Sequence, residues 1–269
     1  MYDAFPRLDE PPPDPPRAQW GVKEMAICVV VVLVALFIVT TAIVGPFYAA
    51  YGEHAPETLT ANAIANLVWN GTMIAAVVWF VRRAGGGLAD LGLTRPEGSS
   101  WLRIAGLAAA TFGAMYVIIV VYGIAIDTFG IDFLEPDQQV PDEFYDSKVA
   151  LGVLGIAIVL GAPATEEIFF RGFLFGGTRR LTGVVAAALI TGFLFSLAHY
   201  NLGLVLPFTA IGALLAISYH RSGTLFVPIG AHFLFNLVSF SILAFVPEAR
   251  PESEETVEAI LYLLGHLTP

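Results

Sequence analysis

Three polar clusters stand within the apolar stretches of this sequence, and each has helical spacing. Glu166, Glu167 and Arg171 lie in "GAPATEEIFFRGFLFG" (161–176), Phe195 and His199 in "FLFSLAH", and His232 and Asn236 in "AHFLFN". On a helix, residues four apart share a face, so Glu167 and Arg171 can pair and lower the cost of burying both charges. Glu166 is rotated by about 100° from its neighbour, which leaves its carboxylate free for a proton or a water. His232 and Asn236 repeat the four-residue spacing, as do Phe195 and His199. A carboxylate beside an imidazole can hold and deprotonate a water. A second imidazole and an amide can donate hydrogen bonds to the oxyanion of a tetrahedral intermediate. These are the parts of an amide hydrolase. Glu166, His199 and His232 could instead ligate a divalent metal such as zinc, because two histidines and a carboxylate form a common catalytic shell. The residues alone leave both chemistries open.

Each residue also has a plainer reading. The Glu167–Arg171 pair could be glue between helices, either histidine a satisfied hydrogen-bonding group, and Asn236 a packing residue like Asn66 and Asn70. Ser196 lies only three residues before His199 and carries little weight as a nucleophile. The conjunction of an uncompensated Glu166 with two histidines and an asparagine on separate segments outweighs these readings.

The elements that carry these groups are membrane helices. Of 269 residues, 57% are hydrophobic and 13% charged, with a mean hydropathy of +0.74; ordinary soluble domains are ~25% charged. Long uncharged runs predict seven spans at roughly 22–50, 60–82, 101–126, 148–178, 183–200, 203–220 and 224–247, the 40-residue run 181–220 being broken by "HYNLG". A segment at 256–267 is a weaker eighth. The fold class expected is therefore all-α: a polytopic membrane helical bundle of seven to eight transmembrane helices with an intramembrane polar cavity. Charged residues inside a bilayer default to functional hypotheses because they are costly there.

Basic residues set the orientation. With seven spans, ten of the 13 Lys and Arg fall on one side, Lys148 and Arg250 on the other, and Arg171 within a span. The N-terminus is then cytoplasmic, and the acidic stretch 127–148 lies outside. A net charge of −10 argues against nucleic acid, which selects basic patches. Cys28 is the lone cysteine, so no disulfide forms within the chain. The expected organisation is a Pro-rich cytoplasmic tail at 1–21, two N-terminal membrane helices within 22–85, a catalytic core at 86–247, and an acidic tail with a short hydrophobic helix at 248–269.

The three clusters, "EEIFFR", "FSLAH" and "HFLFN" in that order, resemble the EExxxR, FxxxH and HxxxN motifs of the CAAX prenyl endopeptidase and bacteriocin-processing (CPBP, or Abi) intramembrane proteases. "LADLGL" at 88–93 also resembles a segment found before the third span of that family. The resemblance covers roughly 88–247. It implies a polar cavity open to the cytosol, with Glu166 and His199 activating water and His232 and Asn236 stabilising the oxyanion. Glu167, Arg171 and Phe195 would support them. It implies a glutamate-dependent hydrolase that requires no cofactor, the zinc alternative staying open, and a membrane-associated peptide or lipidated protein as substrate. The location expected is the plasma membrane if the source is prokaryotic.

Two rival classes use the same residues. One is a catalytically silent immunity or scaffold protein that binds peptides or lipidated partners, and the other a proton-coupled transporter. The second lacks support because no internal repeat is visible. The depths raise a geometric problem. At ~1.5 Å per residue from the flanking arginines, Glu166 lies ~20 Å in, His232 ~16 Å and His199 up to ~29 Å. A kink at Pro163, tilt or a partly re-entrant fourth span is needed to bring them together.

Overall fold

The computed structural model describes residues 18–131, 134–136 and 140–246. The segment expected at 256–267, the acidic tail and the head up to residue 17 lie outside the described residues. Among the described residues every regular element is helical. The chain runs through α1 (Val22–Tyr51), α2 (Pro56–Arg83), α3 (Trp101–Phe129), α4 (Lys148–Thr182), α5 (Val184–Leu197), α6 (Val205–Ser222) and α7 (Phe226–Phe245). It is a polytopic helical bundle of an integral membrane protein.

Six of these helices are long and apolar enough to cross a bilayer: α1 to α4, α6 with the turn that precedes it, and α7. The span expected at 183–200 is shorter than the sequence suggested. It forms a 14-residue helix, α5, only ~21 Å long against a hydrocarbon core of ~30 Å. Gly183 (φ 80°) starts it, and Tyr200 takes a left-handed φ of 50° just beyond its end, so "HYN" turns the chain early. Helix α1 shows how such a bundle meets lipid. Its buried face is limited to Met25, Cys28, Val32 and Val44, while Val30, Phe37 and Ile38 project outward. The lone cysteine packs among apolar neighbours.

Two close approaches fix the core. Helices α5 and α6 touch backbone to backbone: a Cβ added at Gly212 would stand 2.6 Å from Gly192 Cα, and one at Gly192 would stand 2.6 Å from Thr209 O. Small residues at a helix crossing permit this approach in membranes. The second approach involves "LADLGL". Gly92 (φ +86°) presses against the Tyr219 ring, where a Cβ would come within 2.5 Å. Leu225 N–H donates to Gly92 O at 2.9 Å, and the Tyr219 hydroxyl donates to Leu91 O at 3.2 Å. Thr224 and Leu225 are fully buried, and Leu225 abuts Gly172 on α4, where a Cβ would lie 3.1 Å from its Cδ1.

That brace brings His232 level with the glutamates. The loop before α7 is sunk to the level of Gly172 instead of ending level with Arg179 and Arg180. Counted from there at ~1.5 Å per residue, Glu167 is ~8 Å and His232 ~10 Å along their helices, at a common height.

The glycine contact yields a stability prediction. Gly212→Ala should lower folded stability by about 1–3 kcal/mol, the usual cost of overpacking. Gly113→Ala on α3, where a Cβ would meet nothing within 4 Å, should be neutral or slightly stabilising. Thermal unfolding midpoints of the two variants in one detergent check the contrast.

Candidate active site

Helix α4 carries the glutamates and is not a regular α-helix. It runs as α from Lys148 to Ile156, as a wide π-turn over Ala157–Gly161, as α over Ala162–Glu166, as π again over Glu167–Phe175, and as α to Thr182. Such wide turns are rare and concentrate at functional sites. Pro163 contributes to the first. The Ala162 N–H bonds to Ala157 O, in the i→i−5 register; the next donor in that register would be Pro163, which has no N–H. Ile158 O therefore needs another partner, and Asn236 Nδ2 donates to it at 2.9 Å.

All nine residues from Glu167 to Phe175 are buried. Glu167 Oε1 receives Arg171 Nη1 at 2.8 Å and His232 Nδ1 at 2.8 Å, with Glu167 and Arg171 both at 0% exposure. Arg171 Nη2 also donates to Gly212 O at 3.3 Å, and its guanidinium lies 4.4 Å from the centre of the Phe195 ring. Arginine stays charged in proteins, and a buried charge is tolerated only when paired and hydrogen-bonded. This arrangement supplies a carboxylate, a carbonyl and a ring face.

Phe195 joins the remaining groups. Its ring centre is 4.7 Å from that of His199 and 5.9 Å from that of His232. His199 is half-buried just past the end of α5, its ring also 4.7 Å from Phe208. Its Nδ1 lies 2.8 Å from Phe195 O. A carbonyl only accepts, so Nδ1 carries the hydrogen and Nε2 keeps the lone pair of a base. The carboxylate of Glu167 fixes the same tautomer at His232. Protonating His232 at Nε2 would make that nitrogen a donor too, with Glu167 holding the imidazolium.

Glu166 stands apart from this network. Its Oε2 is buried without a hydrogen-bond partner, and among the described residues it makes no ion pair. The spacing argument thus holds for Glu167 with Arg171, and His232 joins the same carboxylate. Asn236 lies one turn further along α7, with one amide hydrogen engaged by Ile158. Ser196 bonds Phe193 O and Thr209 Oγ1, tying the α5–α6 hairpin together. Among the described residues no group of three His, Cys, Asp or Glu is placed to hold a metal. Glu166, His199 and His232 do not form a ligand set in this conformation.

An apolar groove of about 500 Å³ runs between α3, α4 and α7, lined by Trp101, Ala108, Pro163, Phe226, Gly230 and Phe233 among others. It reaches Pro163, three residues before Glu166.

Residues 148–238 match the model of a family described as type II CAAX prenyl endopeptidase Rce1-like. All three motifs fall inside that match. Over this core the chain is similar to the CPBP family. It is also 30% identical over 118 residues to the "Putative membrane peptidase YdiL" of Bacillus subtilis (strain 168), which covers 44% of this chain and 48% of the relative. The chain thus matches about half the length of that curated relative. No solved structure matches.

Some contributors lie outside any side-chain motif. Gly212 acts through a backbone carbonyl, and Gly192 and Gly92 through the absence of a side chain. Only the preference for small residues at helix crossings hints at the first two.

The buried pair sets a prediction. Arg171→Met leaves the Glu167 carboxylate buried with His232 as its one side-chain partner and should cost about 3–5 kcal/mol. Adding Glu167→Gln should recover most of that loss. Unfolding midpoints of the single and double variants test it.

Proposed function

We propose that this protein is an intramembrane endopeptidase that hydrolyses a peptide bond of a membrane-associated substrate with water activated by Glu166 and His199. The observation that carries the reading is the division of labour between adjacent glutamates. Each keeps one buried oxygen, Oε2, that no protein group satisfies, but Glu167 spends its other oxygen on Arg171 and His232 in a dry core, while Glu166 makes no ion pair among the described residues. A carboxylate held that way suits a proton in transit, and His199 Nε2 is free to share it.

In this reading a water between Glu166 and His199 loses its proton as it attacks the scissile carbonyl. The tetrahedral oxyanion is met by His232 Nε2–H when that ring is protonated, its positive charge balanced by Glu167, and by the second amide hydrogen of Asn236. Donors fixed before the reaction stabilise developing charge without reorganising. Collapse of the intermediate then expels the amine, which takes the proton back. The chemistry needs no cofactor. The groove beside Pro163 suits an apolar portion of the substrate, a membrane peptide segment or the lipid of a CAAX-type protein. The Arg-rich end, which includes the N-terminus, faces the cytosol, and in a prokaryote the protein sits in the plasma membrane.

The test compares membrane-peptide termini between cells with the native protein and cells with Glu166→Gln at equal abundance. Termini present only with the native chain are expected, with the purified variant slowed ~10²–10⁴-fold on the substrate found, the range for losing a general base. Cleavage should survive a chelator. Identical termini would instead favour a silent binding scaffold, and loss with chelator restored by zinc would favour the metal reading.

A further inference from the structure

Trp20 lies 153 residues before Phe173 and outside the matched family core, yet it is the largest fully buried side chain described, 1% exposed. Its ring stacks on Phe173 with centroids 5.3 Å apart at 23°. Its indole N–H donates to Phe173 O at 2.8 Å. The preceding backbone is held too, Arg180 donating to Ala18 O. The seat is cut by two glycines on α4. A Cβ at Gly177 would stand 2.5 Å from Met25 Sδ and 3.2 Å from Trp20 Nε1, and one at Gly176 would stand 3.4 Å from Trp20 Cζ2.

The position of that bond along α4 is what matters. At Gly176 the π-turn that began at Glu167 closes back to the α register, and the Gly176 N–H is shared between Arg171 O and Phe173 O. A shared N–H is a weak tie at the point where the wide register must be kept from shortening. The indole supplies Phe173 O with a full donor there, and the stacked ring fixes the Phe173 side chain. A buried indole normally finds a partner for its N–H; here the partner is the backbone of the helix that bears Glu167 and Arg171.

We propose that Trp20 is a positioning residue: it bolts the segment before α1 to the end of the wide turn and so holds Glu167 and Arg171 in the register that meets His232. This deepens the hydrolase reading, but its first readout does not depend on cleavage.

The test uses the full chain in detergent with Trp20→Phe, which keeps a stacking ring and loses the donor, and Trp20→Ala as the harsher variant. Hydrogen exchange across Glu167–Gly177 should quicken about tenfold in Trp20→Phe, the scale of one lost hydrogen bond, with α2 and α3 unchanged. The Nδ1–H resonance of His232 should shift or broaden. Unchanged exchange in α4 with an unchanged His232 signal would overturn the proposal, as would a uniform rise across all helices, which reports general loosening. Once a substrate is in hand, Trp20→Phe should lower kcat with KM held, and an unaltered kcat would refute the positioning role. Equal termini from the native chain and Glu166→Gln would remove the hydrolase reading and leave the exchange result to decide Trp20.

Discussion

One carboxylate oxygen, Glu167 Oε1, organises the interior of this protein. It accepts from Arg171 on its own helix and from His232 on α7, in a place where neither charge has water to fall back on. Desolvating a carboxylate and a guanidinium costs several kcal/mol each, so the surrounding structure has to satisfy both. Gly212 O and the Phe195 ring contribute to this for Arg171. Each of these partners comes from a different helix, which makes the pair a joint between α4, α5, α6 and α7. The histidine is fixed in the same act, since a carboxylate at Nδ1 decides which nitrogen of His232 faces the rest of the site.

The backbone irregularities serve that joint. A helix in regular α register would carry a continuous ladder of bonds through 157–175. The two wide turns loosen that ladder, and polar side chains from elsewhere complete it: Asn236 at Ile158 O and Trp20 at Phe173 O. The glycine pair Gly192–Gly212 brings α6 near enough for its carbonyl to reach Arg171. The sunken loop at Thr224–Leu225, tied to Gly92, lowers the start of α7 until His232 is level with Glu167.

The buried polar groups stood out in the sequence because ionisable residues are rare in apolar runs and helical spacing says which of them face together. Glu167 with Arg171 followed from that rule alone, and the likeness to the CAAX endopeptidase family from the order of the three motifs. The membrane helices followed from hydropathy, apart from α5, whose early end at Leu197 is decided by the backbone of the "HYN" turn and not by composition. The contribution of His232 to Glu167 was not readable, because it depends on the height at which α7 begins. That height is set by glycine contacts and main-chain bonds, which leave no pattern in hydropathy. Pro163 was a visible irregularity, but whether it kinked the helix or widened a turn depended on Asn236 answering the carbonyl it left unpaired.

The account stands on the bond between Glu167 and His232, and histidine ¹⁵N NMR of the purified protein tests it most directly. With His232 identified by its loss in His232→Asn, the account predicts a slowly exchanging proton on Nδ1 that disappears or moves in Glu167→Gln. A His232 ring protonated at Nε2 alone, or a signal indifferent to Glu167→Gln, would contradict it.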